Sequence, residues 1–195
     1  MSPSQLMSGD RLIIQIDNYL RRSKTETNRF ETKQGFLSLD TKRKWNSNLE
    51  KDIVKTACGI ANLASDGAIM IGVCDSAEDA RRVNELDDIE AITIGNRYIV
   101  GIDREAEKLG INMENYIQKI VSIFRSAPLT EPLKTQLLSS IDHITYKGKT
   151  IIIISIQKQN TLSFYNDDCY YREGPATVEI KGRQIAALAQ KFSNI

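Results

Sequence analysis

The sequence predicts one α+β domain, built on a mixed, partly antiparallel sheet that helices flank. Three observations lead to this fold class. Short apolar runs with strand character lie between segments whose apolar residues recur with the period of a helix. The chain has 195 residues, which is long enough for one buried core and short for two. It contains no repeat, low-complexity tract or long linker, which favours a single folding unit.

The first third of the chain predicts helix, strand, loop and helix in that order. Residues 10–22 carry apolar side chains on one face of a helix, and RFETK (29–33) reads as a strand. Residues 34–46 form a polar, partly basic loop. Ser47 with Glu50 three residues later is a capping-box pattern, and it predicts a helix from Ser47 to about residue 64.

The middle third predicts three strands and an acidic segment. The turn SDG ends at Gly67, which is free to take a positive φ. AIMIGVC then reads as a buried strand that ends at Asp75. Residues 76–90 are acidic and are compatible with a short helix. EAITI and RYIVGID read as two strands joined by a tight turn at Gly95 and Asn96.

The last third predicts a helix, a hairpin, a further short strand and a final helix. Residues 112–126 are amphipathic, and two prolines close this helix. DHITY and TIIIISI form a hairpin around KGK, and DDCYYREG is a short strand that ends at a turn and that ATVEI can continue. GRQIAALAQKF is the final helix. We expect residues 1–24 to be an accessory N-terminal helix and residues 25–195 to be the main domain.

Bulk composition leaves the class of partner open, but the distribution of charge does not look random. The formal net charge is +1. Residues 21–55 hold ten Lys or Arg against five Asp or Glu, whereas residues 74–108 hold five against ten. Such a chain can present a polar face to a charged ligand, or the two regions can neutralise each other across the fold.

Cysteine and histidine usage excludes several kinds of site. Cys58, Cys74 and Cys169 are odd in number and form no CxxC pair, which argues against a disulfide framework and a structural zinc site. His143 is the one histidine, and we expect a strand residue without a chemical role. The sequence has no signal peptide and no apolar run of membrane-spanning length, so we expect a cytoplasmic protein with no membrane partner.

The stretch TETNRFETK (25–33) carries the strongest functional signal. In a strand, Glu31 and Lys33 point to the same face, and Glu26 lies just before the strand. Asp75 ends another strand. If the three carboxylates converge, they form an oxygen-rich site suited to Mg²⁺ or Mn²⁺, and Lys33 can stabilise charge on a phosphate. The alternative is an ordinary surface ion pair.

Five short motifs, in order along the chain, give the sequence a family resemblance. They are FETK at 30–33, IAN at 60–62, DG at 66–67, IGV at 71–73 closed by Asp75, and YREG at 171–174. Together they resemble the AlbA-like domain of the Schlafen family over roughly residues 20–180. The resemblance implies an α+β Schlafen AlbA-like fold. No Walker A sequence is present, so we expect no nucleotide cofactor.

The resemblance also implies a function, because some Schlafen-family proteins are RNA endonucleases that act on tRNA and rRNA. Their acidic triad matches Glu26, Glu31 and Asp75, and their strand lysine matches Lys33. We therefore expect a metal-dependent endoribonuclease, with these four residues catalytic and the three carboxylates binding Mg²⁺ or Mn²⁺. RNA is the favoured substrate over DNA, and a role in antiviral defence or stress is implied. We also expect a two-fold homodimer, which would build a cleft from two copies.

Basic residues outside the strand are candidates for gripping the nucleic acid. Lys42, Arg43 and Lys44 lie beside Trp45 in the polar loop, where they could contact the backbone while the indole stacks on a base. Arg172 in the YREG motif is a candidate phosphate contact. The alternatives are a solvated loop and an arginine paired with Glu173 or with a carbonyl.

The sequence is also compatible with two other functions. The first is a non-catalytic nucleic-acid-binding module, in which the carboxylates are structural and the basic residues alone matter. The second is a protein–protein subunit that docks through the acidic segment 76–90, for which a solvated helix and loop is the simpler interpretation.

Overall fold

The computed structural model of the chain describes residue 14, residues 16–21 and residues 27–193. Residues 14 and 16–21 are helical. The strands are β1 (Phe30–Lys33), β2 (Gly67–Ile71), β3 (Val73–Cys74), β4 (Ile92–Ile94), β5 (Arg97–Ile99), β6 (Ile141–Tyr146), β7 (Lys149–Ile156), β8 (Cys169–Glu173) and β9 (Ala176–Ile180). The helices that follow β1 are α1 (Ser47–Ala61), α2 (Ala77–Asp87), α3 (Asp103–Leu109), α4 (Met113–Ser126), α5 (Leu133–Leu138) and α6 (Arg183–Ser193).

The strands of the described residues form three sheets. The largest has the order β1-β2-β7-β6, the second has the order β3-β5-β4, and β8 pairs with β9. β1 runs parallel to β2, whereas the β2–β7 and β6–β7 pairs are antiparallel. The prediction of one α+β domain on a mixed sheet with flanking helices is therefore confirmed.

The two faces of the four-stranded sheet build two apolar clusters, because side chains alternate along the central strand β7. Ile152 and Ile154 pack with α1, α4 and α5 on one face. Ile151 and Ile153 pack on the other face with the N-terminal helical residues Ile16, Tyr19 and Leu20. These last three residues share the apolar face that the sequence predicted, whereas residues 1–13, 15 and 22–26 lie outside the described residues.

The start of α1 differs from the predicted capping box. Asn46 is the N-cap, and its side chain accepts hydrogen bonds from the backbone N–H groups of Asn48 and Leu49. The Glu50 carboxylate instead accepts a hydrogen bond from Trp45 Nε1 at 2.5 Å. An asparagine one residue earlier satisfies the free N–H groups as well as serine would, so the pattern alone placed the cap one residue late. The helix also ends at Ala61, three residues before the predicted end.

Gly67 is required for a reason other than the predicted positive φ. Ala64 and not Gly67 takes a left-handed conformation in this turn, with φ of 55°. A Cβ at position 67 would lie 2.4 Å from the Arg29 carbonyl oxygen and 2.5 Å from Ile60 Cγ2. The glycine therefore lets β2 start in close contact with the chain before β1 and with α1.

Gly72 turns the chain from the large sheet into the three-stranded sheet. Its φ is 100°, and its N–H donates to the Lys33 carbonyl at 2.8 Å. Its own carbonyl accepts from the N–H groups of Val100 and Gly101. The predicted strand 68–75 is consequently two strands, β2 and β3, which belong to different sheets, and Asp75 follows the second.

The loop that follows β1 folds around a buried glutamate, Glu105 of α3. Its carboxylate accepts hydrogen bonds from the backbone N–H groups of Phe36 at 2.7 Å and Leu37 at 3.0 Å. The Tyr116 hydroxyl donates to the same carboxylate at 2.6 Å. A Cβ at Gly35 would lie 2.1 Å from Glu105 Oε1, so only glycine lets the loop approach this carboxylate.

A second buried acid, Asp87 at the end of α2, joins this network. Arg43 donates to it through Nε at 2.9 Å, and Arg104 through Nη1 at 2.5 Å. Burial raises the pKa of the Asp87 carboxyl, but the hydrogen bonds and charges of Arg43 and Arg104 outweigh burial and bring the pKa below its usual range. The acidic segment 76–90 thus forms helix α2, with Ala80, Val83 and Asp87 turned inward.

No helix among the described residues is long and apolar enough to span a membrane.

Replacing Glu105 with glutamine should destabilise the fold. The amide nitrogen would face a backbone N–H group instead of accepting from it, and the neighbouring Arg104 would lose an anionic partner. We expect the free energy of unfolding to fall by about 3 kcal/mol, the scale for removing one partner of a buried ion pair. Urea denaturation measures it. Glu107→Gln, on the exposed side of the same helix, is the matched control and should change stability little. Equal effects of the two changes would contradict the role given to Glu105.

Acid should reveal the contribution of Asp87. Because the folded-state pKa of Asp87 is lowered, its stabilisation is present above the unfolded-state value of about 3.9 and is lost as the pH falls through the folded-state value. Asp87→Asn should therefore be less stable than wild type at pH 7, and the difference should narrow below about pH 4. Urea denaturation at several pH values tests this, with Asp88→Asn at the exposed neighbouring position as the control. A difference that stays constant with pH would count against it.

Candidate functional site

Glu31 is a buried carboxylate that lies between two cations. Only 4% of the residue is exposed. Its Oε1 accepts a hydrogen bond from Lys33 Nζ on the same strand. Its Oε2 lies 2.8 Å from Nη2 of Arg172, without the alignment of a hydrogen bond. Strand alternation explains why Glu31 and Lys33 share a face, as the sequence predicted. The structure therefore joins two of the predicted residues directly and adds Arg172 to them.

Arg172 comes from β8 and is held as firmly as Glu31. Its side chain is 2% exposed. Nη1 donates to the Thr177 hydroxyl at 3.0 Å, and Nη2 donates to the carbonyl of Thr27 at 3.3 Å. The sequence left two interpretations of Arg172 open, a phosphate contact or a pairing within the protein. The structure shows the pairing, with Glu31 as the acid instead of Glu173. Its side chain is not exposed to an external phosphate in this structure.

Asp75 lies at the end of β3, and its side chain is exposed. β3 and β5 pair Val73 with Ile99 and Cys74 with Tyr98, so the next position in this register places Asp75 opposite Arg97. The Arg97 side chain is buried and donates from Nη2 to the Tyr19 hydroxyl at 3.1 Å. The strand end that was predicted for Asp75 is therefore present, with a buried arginine across from it.

The predicted carboxylate triad is only partly within the described residues, because Glu26 lies outside them. Within the part of the chain that the structure describes, no three Asp, Glu, His or Cys side chains are grouped closely enough to hold a metal ion. The structure brings Glu31, Lys33 and Arg172 together, and it shows no direct contact between Glu31 and Asp75. The metal-ligand roles of Glu26, Glu31 and Asp75 remain predictions.

The basic loop presents two of its three cations to solvent. Lys42 and Lys44 are exposed. Arg43 turns inward, where its side chain is 7% exposed and binds Asp87 and the carbonyl of Ser38. A phosphate could meet Lys42 and Lys44 without rearrangement, whereas Arg43 positions the loop.

The indole of Trp45 packs against other side chains of the protein instead of projecting into solvent. Its indole stacks on Phe36, with ring centroids 4.7 Å apart and planes 3° from parallel. The ammonium group of Lys119 lies 4.5 Å from the ring centroid, and Tyr116 contacts the indole edge-on. Stacking on a base would require some of these contacts to break.

The three cysteines are buried and free, with no disulfide between them. Burial raises the pKa of the Cys58 and Cys74 thiols to about 12 in both cases. Such thiols stay protonated at neutral pH and are poor nucleophiles and poor metal ligands. His143 lies on β6, so its expected place in a strand is confirmed.

Two features of the site were not predicted from the sequence. One is the Glu31–Arg172 ion pair, whose partners lie far apart along the chain; the YREG motif marked the arginine but carried no sign of its partner. The other is the buried Arg97, for which the sequence offered only a charge at the start of an apolar strand, directly after the Gly95–Asn96 turn.

Glu31, Lys33 and Arg172 together place one carboxylate between two cationic side chains. One of its oxygens, Oε2, has no hydrogen-bond donor aligned to it. Carboxylate oxygens, here of a buried glutamate and of an exposed aspartate at a neighbouring strand end, are the hard ligands that Mg²⁺ and Mn²⁺ prefer. The adjacent ammonium group of Lys33, whose side chain is 33% exposed, offers a contact for an anion.

Comparison with known proteins agrees with the fold. A family model described as "Schlafen, AlbA_2" matches residues 26–181. The crystal structure of the DIP2311 protein from Corynebacterium diphtheriae superposes with a TM-score of 0.51 at 12% sequence identity. The match covers 88% of this chain and 27% of that one, so the chain spans about a quarter of the length of that protein, and the likeness shows the fold alone. No curated protein matches the sequence.

The matched segment runs from just before β1 to just after β9 and contains all five of the motifs and the Glu31–Arg172 pair. Because the family model covers most of the chain, this protein belongs to the Schlafen family, in its AlbA_2 group.

Proposed function

We propose that the protein is a metal-dependent endoribonuclease that cleaves tRNA or a related structured RNA. The observation that carries the proposal is Glu31, a carboxylate held at 4% exposure between two cations on an edge strand. Buried ionised groups with specific charge partners are concentrated at functional sites. The family suggests a nucleic-acid-related function, and the resemblance of Glu26, Glu31 and Asp75 to the acidic triad of its nucleases supports hydrolysis as that function.

Each residue has a role in this proposal. Glu26, Glu31 and Asp75 would hold Mg²⁺ or Mn²⁺, which supplies Lewis acidity toward a phosphate when bound. Arg172 holds the Glu31 carboxylate in place, because the Arg172 guanidinium is itself hydrogen-bonded to Thr177 and to the Thr27 carbonyl. Lys33 keeps its ammonium group beside Glu31, where it can neutralise charge on the scissile phosphate. Lys42 and Lys44 would contact the RNA backbone.

One observation favours a second function, a non-catalytic nucleic-acid-binding module. Both carboxylate oxygens of Glu31 already face a cation, which balances its charge without a metal ion. In this alternative Glu31 is structural, and the exposed lysines of the loop supply the binding. Defence or stress roles, and homodimer formation, belong to either function.

Cleavage is tested with purified protein and total tRNA, in Mg²⁺, in Mn²⁺ and in EDTA, with single- and double-stranded DNA in parallel. We expect metal-dependent cutting of RNA and a loss of at least about 100-fold in Glu31→Gln, the scale for removing a catalytic charge. Binding by this variant, measured by gel shift, should be unchanged or stronger because a charge that repels phosphate is gone. Glu173→Gln, an exposed glutamate on β8, is the matched control.

Several outcomes decide between the functions. Cutting by Glu31→Gln at the wild-type rate would overturn the role of Glu31. RNA that shifts on the gel but is never cut would support the binding module. Neither cutting nor binding would leave docking to another protein, through the exposed side of α2, as the surviving hypothesis. A thermal melt of Glu31→Gln shows whether a loss of activity comes from unfolding.

The loop lysines should contribute to affinity in a salt-dependent way. Replacing both Lys42 and Lys44 with alanine should weaken RNA binding and make the slope of log affinity against log salt concentration shallower by about 1 to 2. Fluorescence anisotropy over a salt series measures this. Lys158→Ala removes an exposed lysine elsewhere and should leave the slope unchanged. An equal effect from Lys158→Ala would show that the attraction is general and not localised to the loop.

A further inference from the structure

The outer edge of the four-stranded sheet is formed by β6, the longest of the exposed edges in the described residues. β6 has six residues, whereas β1 at the opposite edge has four, β4 has three, and β9 belongs to a two-stranded ribbon. β6 pairs with β7 on one side, and no described residue pairs with its other side. A row of backbone donors and acceptors therefore faces outward.

The register of the β6–β7 hairpin shows which residues face outward. Tyr146 pairs with Lys149 at the turn, and the Ser155 N–H donates to the Ser140 carbonyl at the far end. Hydrogen-bonded pairs alternate along an antiparallel ladder, so the even-numbered residues bond to β7. The N–H and C=O groups of Ile141, His143 and Thr145 are the ones turned to the edge.

Apart from the charge of Asp142, this edge lacks the features that normally protect an exposed strand. Native sheets blunt their edges with proline, lysine, bulges or very short strands. IDHITY contains no proline, glycine or lysine, and it pairs with β7 in unbroken register over its whole length. Asp142 is its one carboxylate. Such a strand is a ready template for another strand.

We propose that β6 pairs with β6 of a second copy of this chain, antiparallel and across a two-fold axis at His143. This register joins every outward-facing residue: His143 pairs with itself, and Ile141 pairs with Thr145 of the second copy. Shifting the axis to position 142 would set two Asp142 carboxylates directly opposite each other, which is destabilising. Shifting it to position 144 would leave Ile141 without a strand residue to pair with. A two-fold contact of this kind closes on itself and makes a dimer, not a fibre.

A second observation places an apolar contact beside this edge. Ile14 is the large hydrophobic side chain that stands exposed among the described residues, at 54%. It lies three residues before Asp17, on the same stripe of the N-terminal helix. The Tyr146 hydroxyl of β6 donates to the Asp17 carboxylate at 3.4 Å. Ile14 therefore lies about one helical turn from the residue that β6 contacts.

The oligomeric state of the full chain tests the proposal. Sedimentation equilibrium over a range of concentrations should show a dimer for wild type. His143→Lys places two ammonium groups opposite each other at the axis and should weaken dimerisation at least tenfold. The side chain at 143 is exposed, so the monomer should keep its melting temperature. Thr93→Lys puts the same charge on the outward-facing position of edge strand β4 and should leave the dimer intact. A monomeric wild type, or a dimer that resists His143→Lys, would overturn the proposal.

A cross-link tests the register independently. Residues in a hydrogen-bonded antiparallel pair have Cα atoms about 5.5 Å apart, which lies within the range that a disulfide spans. His143→Cys treated with diamide should give a covalent dimer on non-reducing gels, whereas Thr93→Cys should not. The three native thiols are buried and should not interfere. If β6 is covered instead by residues 1–13 of the same chain or by another protein, no covalent dimer forms and the proposal fails. Both tests are read without RNA, so their outcome is separate from that of the cleavage assay.

Discussion

Two buried carboxylates, Asp87 and Glu105, determine where the loop between β1 and α1 can lie. The acids come from α2 and α3, and between them they bind the backbone of Phe36 and Leu37 and the guanidinium groups of Arg43 and Arg104. Unpaired, any of these charges would cost several kcal/mol to bury. The network therefore exists only when the loop, both helices and the strand ends are all in place. It ties β1, which carries Glu31, to the rest of the domain, and it places Lys42 and Lys44 at the surface.

The comparison between Glu105 and Glu31 separates structure from chemistry. Both are buried acids near arginines, but both oxygens of Glu105 accept hydrogen bonds from fixed groups, namely two backbone N–H groups and a tyrosine hydroxyl. Glu31 has one oxygen with no aligned donor, and its neighbour Lys33 reaches solvent. A fully satisfied carboxylate holds a loop in place. A partly satisfied one beside an accessible ammonium group can still bind something, and for this reason the functional proposal centres on Glu31.

Local patterns in the sequence predicted most of the elements but few of the interactions between them. Alternation and helical periodicity correctly placed β1, the β6–β7 hairpin and helix α4. They missed helices α3 and α5, which are too short to show a period and depend on tertiary contacts such as Glu105 with the loop. The Glu31–Lys33 pair follows from a two-residue spacing, whereas the Glu31–Arg172 pair joins strands from opposite ends of the chain. Gly67 was recognised as special for the wrong reason, because close contact with Arg29 and Ile60 is a property of packing and not of the turn. The domain boundary at residue 24 remains a prediction.

Sheet order constrains what a dimer through β6 can do for catalysis. The order β1-β2-β7-β6 places Glu31, on β1, at one edge of the sheet and β6 at the opposite edge. Pairing two copies through β6 would make one continuous sheet with β1 at each outer end. Seven steps between strands, at about 4.8 Å each, separate the two β1 strands by about 34 Å. Two Glu31 sites at that distance cannot form the shared cleft that the sequence led us to expect from a homodimer. Each site would have to work with residues of its own chain, so a β6 dimer would present two independent sites to one structured RNA, and its effect would be on avidity instead of on the chemistry at either site.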